Sequence, residues 1–563
     1  MLCRSDRRQT DPPRPPHVDQ GAQALSPDSR RVKLDAAIAN NIWLAASVPE
    51  FLRFQRAATR VEATQRRLLS RYLLDNATTD FGRAHNFANI RCWEEFVERV
   101  PVRNYDEFAP WITKIAAGDG GVLTAEPVRL LEPSSGSSGA EKWVPYTTRL
   151  QTEFRRGVAT WIAGLFLEMP ALIAGRAYWS LTPPAQRDRT DASSIPIGFD
   201  QDSAYLGGLT QRLIGRTLAV PENLRLESDM EHFWRLTLLS LLKCRDLRLI
   251  SAWHPTYVLL LLRFMRDNWT NLLDDLAAGL VTNTLRVRPD RLRHRELARL
   301  GPDNASAIWP ELKLISCWAD AHAAHFTPDL CAEFPGARLQ AKGLIATEAF
   351  VTLPLAGFRP LAVRSHFLEF LDERDDIQPA WSLEEGATYT VVVTTGGGLY
   401  RYALRDQVQV TGFYKDLPSL RFLGKADNVA DHFGEKLNEA FVASCLDHVF
   451  ALCGLQPRFA MLALDGSDGP PAYTLYLEQP SPPPEELSVA LEERLRRNPH
   501  YDLCVRLGQL HPVRVFLVGD NAYQTFTKTL VARGAQLGNI KPTPLSRRSD
   551  WSDYFTGPDG SDF

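Results

Sequence analysis

Short runs of β-branched and apolar residues alternate with stretches of helical periodicity through most of this 563-residue chain. Segments 247–251, 312–317, 389–394 and 407–413 read as strands, and the sequence between them carries apolar residues at helical spacing. That alternation favours an α/β architecture. The pattern changes after residue 424. Helix 437–446, strands 459–464 and 472–477, helix 485–496 and strand 513–518 form a compact α+β unit of about 100 residues, a common domain size. The Pro-rich stretch 479–484 is a loop inside that unit. The expected organisation is a disordered tail over 1–32, a large multi-layer body over 33–424, a smaller mobile unit over 425–545 and a flexible tail over 546–563.

Composition narrows the function. With 64 basic and 67 acidic residues the net charge is −3, which gives no electrostatic reason to expect nucleic acid or a charged membrane as partner. A chain this long buries an ample core without staples. Its eight cysteines contain no C-x-x-C pair, so they read as reduced, mostly buried thiols, with Cys3 in the tail. The N-terminus lacks the apolar core of a signal peptide. The greasiest runs, 157–167 and 257–262, fall well short of the roughly 20 apolar residues of a membrane span. A soluble, cytoplasmic protein is expected.

Five segments carry chemistry. The first runs from Pro133 to Lys142 as PSSGSSGAEK: a strand enters a turn of Ser134, Ser135, Gly136, Ser137, Ser138 and Gly139. Glycines let backbone N–H groups and hydroxyls approach an oxyanion, and Lys142 just beyond suits a nucleotide phosphate. The Walker spacing is absent, and the same composition also serves as a plain flexible loop. The second is GLIATEA over 343–349, where Glu348 at the end of a buried strand is placed to hold Mg²⁺; a helix N-cap at Thr347 is the other reading. Third, GGGLYRYALRD over 396–406 ends in Asp406, suited to two ribose hydroxyls or else a solvated turn residue. Fourth, RFLGKADN over 421–428 has the glycine-and-charge character of a hinge, with Lys425 in it. Fifth is Lys541 in GNIKP over 538–542. His322 and His325, three apart beside Asp320, read as packing or surface residues, since no third metal ligand accompanies them.

In this order and spacing the five segments resemble those of the auxin-responsive GH3 family of acyl-acid amido synthetases. That family lies within the adenylate-forming superfamily, and YWSLT over 178–182, PIGF over 196–199 and SCWAD over 316–320 resemble its bacterial branch. The likeness runs from about residue 42 to 545. It implies a large adenylation domain, a mobile C-terminal cap, and ATP and Mg²⁺ as cofactors. The substrates it implies are a small carboxylic acid and an amino acid, with no obligate protein partner evident. By resemblance Ser134, Ser135, Ser137, Ser138 and Lys142 hold the departing pyrophosphate, Thr347 the α-phosphate, Glu348 the metal and Asp406 the ribose. Lys541 matches the lysine that swings in for adenylation. Two positions depart from the family pattern: Arg405 replaces the glycine before the aspartate, and Lys425 replaces an arginine, losing its planar fork.

A carboxylate is a poor acyl donor until ATP converts it to an acyl-adenylate, which an amine then attacks. Thioester formation with coenzyme A and non-catalytic nucleotide binding are the rival readings. The acid pocket is expected among Trp179, Phe199, Tyr257 and Trp318, whose aromatic character suits an aryl or medium acyl group.

Overall fold

The computed structural model describes residues 29–134, 142–180, 193–198, 215–227, 229–282, 284–425, 429–465, 471–533, 535 and 540–558. Four strands, Arg176–Trp179, Leu247–Ser251, Leu314–Cys317 and Arg338–Ala341, lie side by side in that order, all parallel. Parallel strands are covered on both faces, so they read as continuous apolar runs, and Leu314 to Cys317 are all buried. Leu249 and Leu314 pack into a core with Trp161 and Ile162 of the helix Thr148–Glu168. Ile250 and Ile315 point the other way, into a core with the helices Met230–Lys243 and Pro255–Asp267. Because the strands run in one direction, Trp179, Ser251, Cys317 and Ala341 end at a single edge, where open parallel sheets bind ligands.

A second, antiparallel sheet orders its strands Ile377–Pro379, Phe367–Leu371, Thr388–Thr394, Tyr402–Tyr414 and Leu417–Lys425. A buried ion pair anchors it: Arg401 Nε meets Glu369 Oε2 at 3.1 Å, with the two side chains 3% and 0% exposed. Trp93 Nε1 donates to the other oxygen at 2.8 Å, and the guanidinium donates to the Val97 and Val100 carbonyls. Every partner in that cluster is satisfied, as burial of charge requires.

The helix Thr148–Glu168 joins the two sheets to the site. Thr147 caps it, accepting from Leu150 N at 3.1 Å while donating to the Gly396 carbonyl at 2.8 Å. One turn in, Glu153 is 1% exposed and accepts from Tyr72 Oη at 2.7 Å, Gly396 N at 2.9 Å and His366 Nδ1 at 3.0 Å. His366 Nε2 in turn accepts the Phe350 N–H at 3.0 Å.

The C-terminal unit is built on a mixed sheet in the order His511–Leu517, Ala472–Glu478, Phe459–Asp465, Leu545–Ser546. The helix expected from 437 begins at Glu439, because Leu437–Asn438 pair with Val429–Ala430 and Asn438 caps the helix by accepting from Phe441 N at 2.8 Å. The final stretch is not a loose tail as far as Pro558. Trp551 and Phe555 are each 1% exposed; Trp551 stacks on Phe526, and Phe555 packs tilted against Phe459 and Tyr476. At the other end a helix spans Ser29–Ala57, starting inside the stretch expected to be unstructured. No helix among the described residues is long and apolar enough to cross a membrane. The described cysteines are free thiols, and Cys331 is exposed where burial was expected.

Gly157 lets the long helix lie against the segment that carries Glu348: a Cβ there would fall 2.7 Å from the Phe350 ring. Alanine normally stabilises a helix interior by about 1 kcal/mol over glycine. Here Gly157→Ala is expected to destabilise instead, by about 1–2 kcal/mol, because a buried ring must shift. Thermal unfolding of the variant checks the sign.

Candidate active site

The segment 343–349 is neither the end of a strand nor a helix start. The chain folds back on itself there: Leu344 N donates to Thr352 Oγ1 at 2.7 Å, Val351 N to the Leu344 carbonyl and Ala346 N to the Ala349 carbonyl. A Cβ on Gly343 would lie 2.1 Å from the Thr352 carbonyl oxygen, so only glycine allows the two arms to close. Thr347 and Glu348 form the two-residue tip of this loop. Tyr146 Oη holds the tip, donating to the Thr347 carbonyl at 2.6 Å.

Tyr146 belongs to the hairpin Leu130–Ser134 and Lys142–Tyr146, in which Ser134 lies opposite Lys142. The serine–glycine turn therefore springs from the same hairpin that supports the Glu348 tip. Ser135, Gly136, Ser137, Ser138 and Gly139 fall outside the described residues, as does the side chain of Ser134. Lys142 is half-buried, its Nζ 5.7 Å from the centre of the Tyr105 ring.

Asp406 is no solvated turn residue. It is 3% exposed within the strand Tyr402–Tyr414, opposite Lys425 in register, and Lys425 Nζ meets its Oδ1 at 2.8 Å. Lys425 also donates to the Leu404 carbonyl at 3.1 Å. The Lys425 ammonium thus bridges the Asp406 carboxylate and a backbone carbonyl as a point charge.

Glu348 lies within electrostatic reach of the whole group. Burial raises its pKa, Lys425 and Lys142 lower it and Asp406 raises it again.

Lys541 completes the cluster from the C-terminal unit. Its ammonium lies 3.9 Å from the centre of the Trp318 ring. The residue is exposed overall, with its ammonium facing the crevice between the two bodies. Enclosure by protein and the charge of Lys425 lower its pKa to about 8, against the opposing pull of Asp406 and Glu439. Tyr523 helps dock the same unit, with its ring 6.2 Å from that of Phe326. Five expected residues, Lys142, Glu348, Asp406, Lys425 and Lys541, thereby share one crevice.

The expected acid-binding residues divide. Trp318 lines the crevice under Lys541. Trp179 packs at 5.9 Å from Trp43 and 6.2 Å from Trp161, at the carboxyl edge of the parallel sheet. Tyr257 is a core residue, 8% exposed, with its hydroxyl 2.8 Å from that of Tyr178 and its ring stacked on Trp234. Phe199 lies outside the described residues, as do the side chains of His322 and His325. Among the described residues no set of three or more His, Cys, Asp or Glu gathers as a metal cluster.

Sequence reasoning missed three supports. Glu153 and His366 tie the Gly396 turn to the Glu348 loop. Arg359 grips both oxygens of Asp320 at 2.5 and 2.6 Å, and Phe422 N donates to the same carboxylate at 3.3 Å, so SCWAD is joined to the strand leading into the hinge.

Residues 51–339 match the GH3 family N-terminal domain, 360–425 the GH3 family central domain and 453–550 the GH3 family C-terminal domain. The chain belongs to the GH3 family. Among curated relatives, the indole-3-acetic acid-amido synthetase GH3.3 of Arabidopsis thaliana is 22% identical over 547 residues, covering 87% of this chain and 90% of its own. The Arabidopsis thaliana indole-3-acetic acid-amido synthetase GH3.15 is 24% identical over 561 residues, covering 87% and 91%. The solved structure of the GH3.15 acyl acid amido synthetase in complex with 2,4-DB has 20% identity and a TM-score of 0.78, covering 91% of this chain and 96% of that one. The GH3 fold is therefore present from the first helices to the C-terminal unit.

Arg405, which precedes Asp406, has an unusual backbone conformation for its strand. It has φ +58° at an irregularity where the register between Thr388–Thr394 and Tyr402–Tyr414 shifts, and its side chain is exposed. A non-glycine residue there carries backbone strain of about 1 kcal/mol. Arg405→Gly is expected to raise the melting temperature slightly, the relief outweighing the added freedom of the unfolded chain.

Proposed function

We propose that this GH3 protein is an ATP-dependent ligase that adenylates a carboxylic acid and passes the acyl group to an amino acid amine. The observation that carries this reading is the meeting of Lys142, Glu348, Asp406 and Lys425 with Lys541, which arrives from a separate unit. The body over 33–424 binds ATP and the acid, and the unit over 425–545 acts as the cap.

In the first half-reaction a carboxylate oxygen of the acid attacks the α-phosphorus of ATP, and the bond to the pyrophosphate oxygen breaks. Lys142, with Ser134 and the serine–glycine turn, binds the leaving pyrophosphate. The Lys541 ammonium neutralises charge that builds up between the acid and the α-phosphate, and Thr347 orients that phosphate. Asp406 accepts the ribose hydroxyls, with Lys425 fixing its carboxylate. Mg²⁺, when bound, supplies further charge neutralisation at the phosphates. Glu348 fits it, being a single buried carboxylate of the kind that holds Mg²⁺ together with waters and phosphate oxygens. In the second half-reaction the amine nitrogen attacks the acyl carbon, the acyl–phosphate bond breaks, AMP leaves and the proton lost by the nitrogen passes to solvent.

ATP–pyrophosphate exchange over a panel of carboxylic acids, followed by mass analysis of the amide formed with mixed amino acids, tests the reading. No exchange with any acid would refute it, and thioester formation with coenzyme A in place of amide would shift the acceptor to a thiol. Removal of the ammonium in Lys541→Ala should lower the exchange rate at least a hundredfold while ATP binding stays within about threefold. Equal losses in both would overturn the role of Lys541.

The pH dependence follows from the lowered pKa. Lys541 is charged below about pH 8 and neutral above it, so kcat/KM for ATP should fall as pH rises through about 8. Lys541→Arg, charged throughout, should lose that alkaline limb even at a reduced rate.

A further inference from the structure

Lys342 follows the last strand of the parallel sheet and is used by none of the steps above. Its Nζ donates to Ser251 Oγ at 2.7 Å and lies 5.2 Å and 5.4 Å from the centres of the Trp161 and Trp253 rings. No carboxylate faces it among the described residues; the ionisable group that acts on it is the Cys317 thiol. Among the described residues its one oxygen acceptor is Ser251, which leaves two of its three N–H donors for a further acceptor. Enclosure lowers its pKa to about 8, which leaves it mostly protonated near neutrality.

A half-buried cation enclosed in this way is only partly compensated by the aromatic faces. Position supplies the rest of the argument. Ser251 and Cys317 end two adjacent strands at the carboxyl edge, Lys342 directly follows the third, and Trp253, 37% exposed there, lies 5.4 Å from Trp318, whose ring faces the Lys541 ammonium. Lys342 is thus one indole removed from the reacting end. It is not among the charges that act on Glu348 or Lys541.

We infer that Lys342 sets acid specificity, binding an oxygen acceptor, a second carboxylate or a hydroxyl, carried by the acid at the end away from its reacting carboxylate. The inference rests on the proposed reading of the site and names the substrate class: acids with a polar far end, held between tryptophan faces.

The test compares benzoate with terephthalate and 4-hydroxybenzoate, and hexanoate with adipate, on the full chain and on Lys342→Met. Binding is followed by tryptophan fluorescence and turnover by pyrophosphate exchange. The wild type should favour the acceptor-bearing member of at least one pair by about ten- to a hundredfold, and Lys342→Met should erase that preference with ATP affinity unchanged. Its melting temperature should hold or rise, since a poorly compensated cation has gone. No preference in the wild type, or the same preference in both proteins, would overturn the inference. Selective binding without exchange would refute the ligase reading and leave the assignment of Lys342 standing. If Lys342→Met does not fold, Lys342→Gln, which keeps a neutral donor, should retain a reduced preference, and an undiminished one would count against the charge.

Discussion

The contact between Asp406 and Lys425 is the constraint on which the site depends. Its two residues lie on neighbouring strands of the antiparallel sheet, and Lys425 is the last residue before the chain passes to the C-terminal unit. A buried carboxylate without a cation would be expensive, so the pair fixes the end of that strand. From this fixed end the rest of the geometry follows. Asp406 and Lys425 set the electrostatic environment of Glu348 on one side and of Lys541 on the other.

Behind this front lies a second, entirely buried arrangement centred on Glu153. Its carboxylate binds Tyr72, His366 and Gly396 N, and His366 binds Phe350 N beyond it. Two loops that are remote in sequence are thereby held by one side chain of one helix. The Arg401–Glu369 pair does comparable work beneath the strand of Asp406. Catalytic groups on loops gain precision when rigid elements fix the loop backbone from below.

Much of this was legible in the sequence, for identifiable reasons. The two central parallel strands, 247–251 and 314–317, announced themselves because burial on both faces leaves an apolar run, whereas the flanking 176–179 and 338–341 are only partly buried and carry no such signal. Glu348 and Asp406 stood out beside glycine and apolar sequence, and Lys541 only in company with the other segments. What escaped was information that exists only in three dimensions. Glu153 reads as an ordinary acidic residue of a helix until Tyr72 and His366 arrive from elsewhere. Residues 343–349 form an apolar run whose periodicity cannot distinguish a strand from a folded-back loop, and the carbonyl of Thr352 beside Gly343 decides the matter. Trp551 and Phe555 were hidden in a polar tail, although they fill a core against Phe459 and Phe526. Tyr257 resembled a pocket wall in composition alone, and its bond to Tyr178 makes it structural.

The charge inventory of the crevice has a consequence for turnover. Lys142, Lys425 and Lys541 bring three ammonium groups to the carboxyl groups of Asp406 and Glu348, with Glu439 beside Lys541, and burial raises the pKa of Glu348. Bound polyphosphate would be the missing counterion that makes the closed arrangement comfortable. The like charges of Lys425 and Lys541 oppose each other where the two bodies meet, so an anion bound between them favours that meeting and its loss weakens it.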